Sequence, residues 1–175
     1  ELKSFEYSPW VTANLTLEGW PAERGSEPAR DNVIHGSSSL GYVVATHQSL
    51  RTRIDRTVWT HYWALAEGNP LDRRRFLLGT DWAYWKDAIL NDLARAHPDI
   101  RSLVSRIDIL RLGHAMIRPA VGFLSGEERR RMATPSGQLV YANSDLSGLS
   151  LFEEAQYRGV QAADYVLARA GGQRY

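Results

Sequence analysis

Alternating apolar and polar side chains indicate that the first part of the chain is rich in β-strands. Residues 10–17 alternate apolar with small polar side chains, which is the period-two pattern of a half-buried strand. Proline, glycine and charged residues then predict a loop over residues 19–30. Further β-forming runs lie at residues 32–35, 40–47 and 57–65. Strands in series with short connections predict an antiparallel or mixed sheet.

A helical period replaces this alternation in the middle of the chain. Asn69 is a suitable N-cap and Pro70 a suitable first residue for a helix that reaches about residue 78. A second helix, capped by Thr80 or Asp81, carries one apolar stripe at helical spacing. The stripe consists of Trp82, Trp85, Ile89 and Leu93. Asp99 then caps a short helix that ends near residue 104.

The last part of the chain predicts a strand, a turn of small polar residues and a helix. A strand over residues 107–115 and an exposed polar segment over residues 125–136 come first. Residues 138–142 then predict a short buried strand, residues 143–148 a turn, and residues 150–169 a helix.

These elements together predict an α+β fold in two parts. Residues 1–136 would form an α+β domain with a mixed or antiparallel sheet and packed helices. Residues 137–175 form a terminal strand-helix segment.

The start of the last helix is a candidate anion site. The pair Ser150 and Glu153 has the spacing of a capping box, which would set the first residue of the helix. Helix-start amides carry the positive end of the helix dipole, and those near Leu151 and Phe152 remain free for a ligand. Small residues share roughly one side of this helix and permit close approach of a ligand or of a sheet: Ala155, Gly159, Ala162 and Ala163. Tight packing on a sheet is the simpler interpretation.

Composition narrows the classes of partner. The formal charge is +1, so no concentrated basic face for nucleic acid or a membrane surface is expected. No apolar run approaches the roughly 20 residues of a membrane-spanning helix. The chain has no cysteine, and no histidine pair has helical metal-binding spacing, so no metal site is predicted. We expect a soluble protein, and cytoplasmic and periplasmic locations both remain open.

The terminal segment resembles the closing FAD-binding motif of flavin-containing amine oxidases. The similarity lies in Gly137-Gln138-Leu139-Val140-Tyr141-Ala142-Asn143-Ser144-Asp145, in Ser150-Leu151-Phe152-Glu153-Glu154-Ala155, and in the later Gly159 and Ala162-Ala163. The pattern is closest to bacterial spermidine-dehydrogenase-like flavoproteins. The resemblance implies FAD as cofactor and, over the rest of the chain, the substrate-binding domain of the same superfamily.

The same resemblance implies roles for individual residues. Asp145 would lie near the ribityl chain or the pyrophosphate of FAD, and the amides of Leu151 and Phe152 would face the pyrimidine edge of the flavin. Together with neighbours in the motif, the implied cofactor-binding set is Ser144, Asp145, Ser150, Leu151, Phe152 and Ala155. The chain departs from the usual motif at Asn143-Ser144, where Ala-Gly is common, and at Glu154, where Gly is usual.

Flavoenzymes of this type hold the ADP part of FAD on a βαβ unit with a Gly-x-Gly-x-x-Gly motif. This chain lacks that motif, since residues 36–41 have the wrong glycine spacing and lead into a strand. We therefore expect an incomplete FAD site, shared with a dinucleotide-binding region in the N-terminal part of the same protein. The chain alone is expected to bind FAD weakly or not at all.

Two further sets of residues are candidates upstream of the motif. Trp59, His61 and Trp63 share one strand face, which would either line a substrate cavity or pack on the helix carrying Trp82 and Trp85. The segment from residue 111 to the turn at residues 119–123 is expected by resemblance to approach the flavin. It holds His114, a weak catalytic candidate, and two arginines that would pair with a flavin phosphate or with surface carboxylates, Arg111 and Arg118.

The expected function is that of the C-terminal part of an FAD-dependent oxidoreductase. By resemblance, the complete enzyme would oxidise a C–H bond next to an amine or similar group of a small molecule, by hydride transfer to flavin. Two alternatives stay open. One is a non-catalytic α+β binding module, and the other is a non-catalytic subunit that completes a flavin site on a separate chain.

Overall fold

The computed structural model describes residues 4–48 and 55–171. The first residue of the predicted first domain, residue 1, and the last residue of the predicted terminal segment, residue 175, lie outside these ranges. Five strands form one sheet in the order β2-β3-β4-β1-β5. The strands are β1 Glu6–Leu17, β2 Asp31–Asn32, β3 Gly41–Val44, β4 Thr57–Ala64 and β5 Val104–Arg118. The helices are α1 Pro70–Gly79, α2 Trp82–Leu93, α3 Ile100–Leu103, α4 Glu127–Ala133 and α5 Phe152–Arg169. The predicted α+β class with an antiparallel sheet is confirmed.

The chain divides into two compact units. We call Pro9–Gly113 the sheet unit, and Glu1–Ser8 with His114–Tyr175 the terminal unit. The strands β1 and β5 therefore each contribute residues to both units. The predicted boundary after residue 136 falls inside the terminal unit. Within the described ranges, no helix is long and apolar enough to span a bilayer.

Strand β1 shows why the sheet unit folds as the hydrophobic pattern predicts. Its residues from 11 to 17 pair antiparallel with β4, and every second side chain is fully buried: Val11, Ala13, Leu15 and Leu17. Helix α2 contributes Trp85, Ile89 and Leu93 to the same core. The stripe prediction is wrong for Trp82, which is 52% exposed. Trp82 is the first residue of the helix, and Lys86 Nζ lies 5.5 Å from the centre of its ring.

Two of the predicted strands are shorter than their β-forming runs. Strand β2 stops at Asn32 because the chain turns, and the amide of Ser37 donates to the carbonyl of Ile34. Strand β3 ends at Val44 and passes into a 3-10 helix, Ala45–Gln48. Gly41 starts β3 at a φ of 107°, and a Cβ there would overlap the carbonyl oxygen of Asn32. Close pairing of β2 with β3 therefore requires glycine at this position.

Helix starts in the sheet unit follow the expected capping chemistry in two cases of three. Asn69 Oδ1 accepts a hydrogen bond from the amide of Leu71, and Asp81 Oδ1 accepts one from the amide of Tyr84. Asp99 precedes α3, but its carboxylate accepts instead from the amide of Ala22, which lies in the long loop after β1. The prediction that the Asp99 side chain caps α3 is therefore wrong, because both of its carboxylate oxygens accept from the distant amide of Ala22.

The terminal unit has a small core. Phe5, Ile117, Phe123 and Leu146 are its buried cluster, and Tyr7, Met132 and Ala133 pack against them. The rings of Phe5 and Phe123 meet edge to face, with centroids 5.1 Å apart. The exposed segment expected over residues 125–136 contains a short helix, α4, none of whose side chains is buried.

Candidate functional site

The turn before α5 is anchored by two buried residues, Leu146 and Gly148. Instead of the predicted strand at residues 138–142, the structure has a tight turn closed by a bridge between Ser136 and Leu139. In the described residues no neighbouring strand pairs with residues 140–142, which explains why the apolar run does not become a strand. A 3-10 helix, Ser144–Ser147, follows and ends at Gly148 in the left-handed conformation. A Cβ at Gly148 would lie 3.0 Å from side-chain atoms of Phe123 and Leu124, so the turn packs directly on the core of the terminal unit.

Two charged side chains of the terminal unit tie this turn to the helices around it. Arg129 of α4 donates through Nη1 to the carbonyl of Leu146 at 2.9 Å, and through Nε to the carbonyl of Leu124 at 2.8 Å. Arg158 of α5 donates to the hydroxyl of Ser147 at 2.9 Å. The backbone that carries Asp145 is therefore held from both sides.

Asp145 is bonded by a residue from the opposite end of the sequence. The hydroxyl of Tyr7 donates to Asp145 Oδ2 at 2.8 Å. Burial, together with the hydrogen bond to Asp145 and its negative charge, raises the pKa of Tyr7 to about 12. The ring of Tyr7 also meets the ring of His114 edge to face, with centroids 5.8 Å apart.

Asp145 and His114, which the sequence indicated as separate candidates, thus contact the same residue in the structure. The link between them is Tyr7, which sequence reasoning missed. Tyr7 precedes an ordinary strand pattern, and no motif in the sequence distinguishes it from the other tyrosines.

The capping box predicted at Ser150 and Glu153 is wrong. The N-cap of α5 is Leu151, with φ of −117° and ψ of 150°, and no side chain caps the helix. Ser150 lies one residue too early to reach the helix-start amides. The amide of Leu151 already donates to the carbonyl of Leu149 at 2.9 Å, so of the two amides expected to face a ligand only that of Phe152 remains open.

The first turn of α5 carries two carboxylates, Glu153 and Glu154. Negative side chains near a helix N-terminus stabilise the helix through its dipole, but they oppose a bound anion. Glu154 is half-buried and lies about 200° around the helix from Phe152, given 3.6 residues per turn. This direction takes its carboxylate away from the side on which Phe152 stands.

Helix α5 leaves an apolar stripe exposed. Its members repeat at helical spacing along one side, and all except half-buried Gly159 are exposed: Phe152, Ala155, Gly159, Ala163 and Val166. Phe152 is 77% exposed and Val166 is 50% exposed. We call these five residues the α5 stripe. The expected tight packing of the small residues on a sheet is wrong for the described chain, because Ala162 alone among them is buried.

The strand face predicted to line a cavity lies in the core of the sheet unit. Trp59 and His61 are fully buried, and the ring of Trp63 meets that of Trp85 edge to face, with centroids 6.1 Å apart. The alternative interpretation, a sheet face packed on α2, therefore describes these residues. Trp82, the other tryptophan expected to pack there, is exposed, as noted above.

His61 belongs to a buried polar network centred on Asp92 of α2. Its Nε2 lies 3.1 Å from Asp92 Oδ2, which also accepts from the hydroxyl of Ser39 at 2.7 Å. Burial alone would raise the pKa of Asp92, but hydrogen bonds from His61, Ser37 and Ser39 lower it to about 2. The network therefore holds a charged carboxylate inside the sheet unit and ties α2 to the turn before β3.

The two arginines on β5 lie in different units. Arg111, in the sheet unit, donates through Nη1 to the carbonyls of Leu78 and Thr80, at 3.1 and 2.9 Å. It therefore satisfies the carboxyl end of α1, and the predicted pairing with a flavin phosphate stays a prediction. Arg118 is half-buried at the end of β5, in the terminal unit.

The sheet unit also has a cleft of about 530 Å³ that the sequence did not indicate. Tyr42 and His97 form its polar base, with 2.6 Å between the hydroxyl and Nε2. His97 Nδ1 donates to the carbonyl of Ala22 at 3.1 Å, and burial lowers the pKa of His97. Among residues 4–48 and 55–171, no group of His, Asp and Glu side chains is arranged to hold a metal ion.

When the chain is compared with protein-family models and with curated proteins, no family model and no curated protein matches it.

Proposed function

We propose that this chain is the C-terminal part of an FAD-dependent oxidoreductase of the amine-oxidase type. The complete enzyme oxidises a C–H bond next to an amine or similar group of a small molecule, by hydride transfer to flavin. The N-terminal part of the same protein supplies the dinucleotide-binding region, and the terminal unit supplies the closing side of the flavin site.

The observation that carries the proposal is the exposed α5 stripe. A helix of 18 residues gains most of its stability in a protein from packing an apolar face. Here that face lies open, and small residues in its middle, Ala155, Gly159 and Ala163, permit another element to approach closely. The resemblance to flavin amine oxidases implies that this segment completes an FAD-binding domain, and we propose that the rest of that domain packs on the stripe.

The residues at the turn suit the central part of FAD. Asp145 offers carboxylate oxygens to hydroxyl donors, and exposed Leu149, Leu151 and Phe152 offer apolar surface to an aromatic ring system. Two carboxylates in the first turn of α5 disfavour a pyrophosphate there. We therefore propose that Asp145 contacts the ribityl hydroxyls, and that the pyrophosphate is held elsewhere in the complete protein.

When bound, FAD supplies the chemistry by accepting a hydride from the substrate carbon. The terminal unit contributes binding and orientation. Asp145 accepts hydrogen bonds from the cofactor, the amide of Phe152 donates toward the flavin edge, and the apolar side chains around them exclude water from the ring. His114 stays a candidate for the side of the site that faces the substrate.

The proposal is tested on the protein expressed from the intact reading frame that encodes this chain. We expect a yellow protein with visible flavin absorption, from which heat releases FAD that mass spectrometry identifies. Asp145→Asn should weaken FAD binding by about tenfold, because a hydrogen bond to a charged group is lost. Asp164→Asn, on an exposed position of α5, is the matched control and should bind FAD like the wild type.

A folded, colourless protein that does not bind added FAD would contradict the proposal and favour the α+β binding module. A separate flavin-free chain that becomes yellow only when mixed with a second protein would favour the subunit alternative. For the wild-type flavoprotein, anaerobic addition of amines should bleach the flavin absorption if the substrate class is correct.

A further inference from the structure

We infer that Tyr7 is the positioning residue of the proposed flavin site, and that it acts by holding the carboxylate of Asp145 in the orientation that the cofactor requires. The inference rests on the proposed function, and it adds a residue that the terminal motif does not contain. Tyr7 and Asp145 stand 138 positions apart in the sequence, and the strand β1 carries Tyr7 to the turn before α5.

The direction of the hydrogen bond follows from the chemistry of its partners. An ionised carboxylate only accepts hydrogen bonds, so the Tyr7 hydroxyl is the donor and its proton points at Asp145 Oδ2. With a pKa of about 12, Tyr7 keeps this proton throughout the physiological range. In the part of the chain that the structure describes, no other side chain bonds the carboxylate of Asp145, so Oδ1 is available to a ligand hydroxyl.

Both partners are fixed to the same small core. Tyr7 packs against the cluster of Phe5, Ile117, Phe123 and Leu146. Asp145 precedes Leu146 of that cluster in the 3-10 helix, whose end Gly148 packs on Phe123. The bond therefore joins two rigid points, and the carboxylate loses its rotational freedom when the protein folds. This ordering would otherwise have to occur when the cofactor binds.

The ring and the hydroxyl of Tyr7 have different partners, because the ring contacts His114 and the hydroxyl bonds Asp145. His114 meets the ring of Tyr7 at an interplanar angle of 68°, and it makes no use of the hydroxyl. Tyr7→Phe therefore removes the bond to Asp145 and leaves the ring contacts with His114 and with the core in place. This substitution isolates the positioning role.

The test is a double-substitution cycle in the flavoprotein from the intact reading frame, with FAD dissociation constants measured well below the unfolding temperature. Tyr7→Phe should weaken FAD binding by roughly 3- to 10-fold, which is the cost of immobilising one side chain on binding. Adding Tyr7→Phe to Asp145→Asn should weaken binding by less than about twofold more, because Tyr7 acts through the carboxylate. Tyr165→Phe is the control, since it removes a hydroxyl that donates at 3.3 Å to the carbonyl of Gly137, also in the terminal unit.

The possible failures are distinguishable. A wild-type protein that binds no FAD overturns the proposed function and this inference together. A flavoprotein in which Tyr7→Phe lowers the unfolding temperature but leaves the FAD dissociation constant unchanged overturns the inference alone. Independent, additive effects of Tyr7→Phe and Asp145→Asn would also overturn it, since they would show that Tyr7 does not act through Asp145.

Discussion

Among the described residues of the sheet unit, fourteen buried apolar residues form one continuous cluster that draws on the sheet, α1, α2 and α3. In the described part of the terminal unit the corresponding cluster has four residues, although this unit holds the 18-residue helix α5. The sheet unit covers both tryptophans at the centre of its core, Trp59 and Trp85, almost completely. The terminal unit leaves Phe152 and most of the α5 stripe in contact with solvent.

Both units leave some large hydrophobic side chains exposed, and they differ in how large an apolar core each one builds. Burial of apolar area is the main favourable term in folding, at about 25 cal/mol per Å². In the sheet unit this burial takes place in the unit's own core. The candidate cavity residues Trp59, His61 and Trp63 belong to that core or pack against it. The terminal unit leaves the α5 stripe exposed, and in the proposed function that surface is covered by another part of the protein.

The largest expected effect concerns the core of the sheet unit. Trp85→Ala should lower the free energy of unfolding by about 3–5 kcal/mol, because it opens a cavity between α2 and the sheet. Chemical denaturation followed by circular dichroism measures the loss. Trp82→Ala, three residues earlier on the same helix, should cost less than about 1 kcal/mol, because Trp82 is 52% exposed. Equal losses of unfolding free energy for the two substitutions would contradict this prediction. They would show that the stability of the sheet unit does not depend on the buried face of α2.

Elements with a local signal could be predicted from the sequence. The period-two alternation of residues 10–17 predicts β1 from its fifth residue to its end, and the β-forming run at residues 57–65 predicts β4 within one residue at its end. Asn69 with Pro70 predicts the start of α1, and the candidate caps Thr80 and Asp81 predict the start of α2, where Asp81 is the cap. Such starts are predictable because capping depends on neighbours within three residues. These signals are contained in short segments, so tertiary contacts do not need to be known.

Features that depend on distant partners could not be predicted in this way. Residues 138–142 have the composition of a buried strand, but a strand needs a neighbour, and no described strand lies beside residues 140–142. Ser150 has the spacing of a cap, yet the extended backbone at Leu151 moves the helix start by one residue. The Tyr7–Asp145 bond joins residues that are 138 positions apart, and no periodic pattern in the sequence indicates it. The sequence indicated Asp145 and His114 as site residues, and the structure was needed to find what holds them together.

A smaller effect is expected from the charged network of the sheet unit. Asp92→Asn should lower the free energy of unfolding by about 2 kcal/mol at neutral pH, as expected for a pKa lowered from 3.8 to about 2. A depressed carboxyl pKa stabilises the fold above the unfolded pKa, and this contribution is lost as the pH falls through the folded pKa. The difference between wild type and variant should therefore be full above about pH 5 and shrink between about pH 4 and pH 2.

Urea denaturation at a series of pH values measures that difference. Asp87→Asn on the same helix is the control, because its carboxylate is 54% exposed and pairs with Arg101 only at the surface. Its cost should stay below about 1 kcal/mol. A cost for Asp92→Asn that does not change between pH 7 and pH 3 would show that the network contributes through packing rather than charge.

The smallest effect on stability is expected in the terminal unit, and it tests the comparison most directly. Ala163→Glu places a carboxylate in the middle of the α5 stripe, and Ala168→Glu places one on another exposed side of the same helix, about 140° away. In the isolated chain both should change the free energy of unfolding by less than about 0.5 kcal/mol, because both positions are exposed. In the protein from the intact reading frame, Ala163→Glu alone should lower the flavin content, because a buried unpaired charge opposes docking on the stripe. Equal flavin content in the two variants would mean that the α5 stripe is not a packing surface, and the exposed apolar side chains of the terminal unit would then need another explanation.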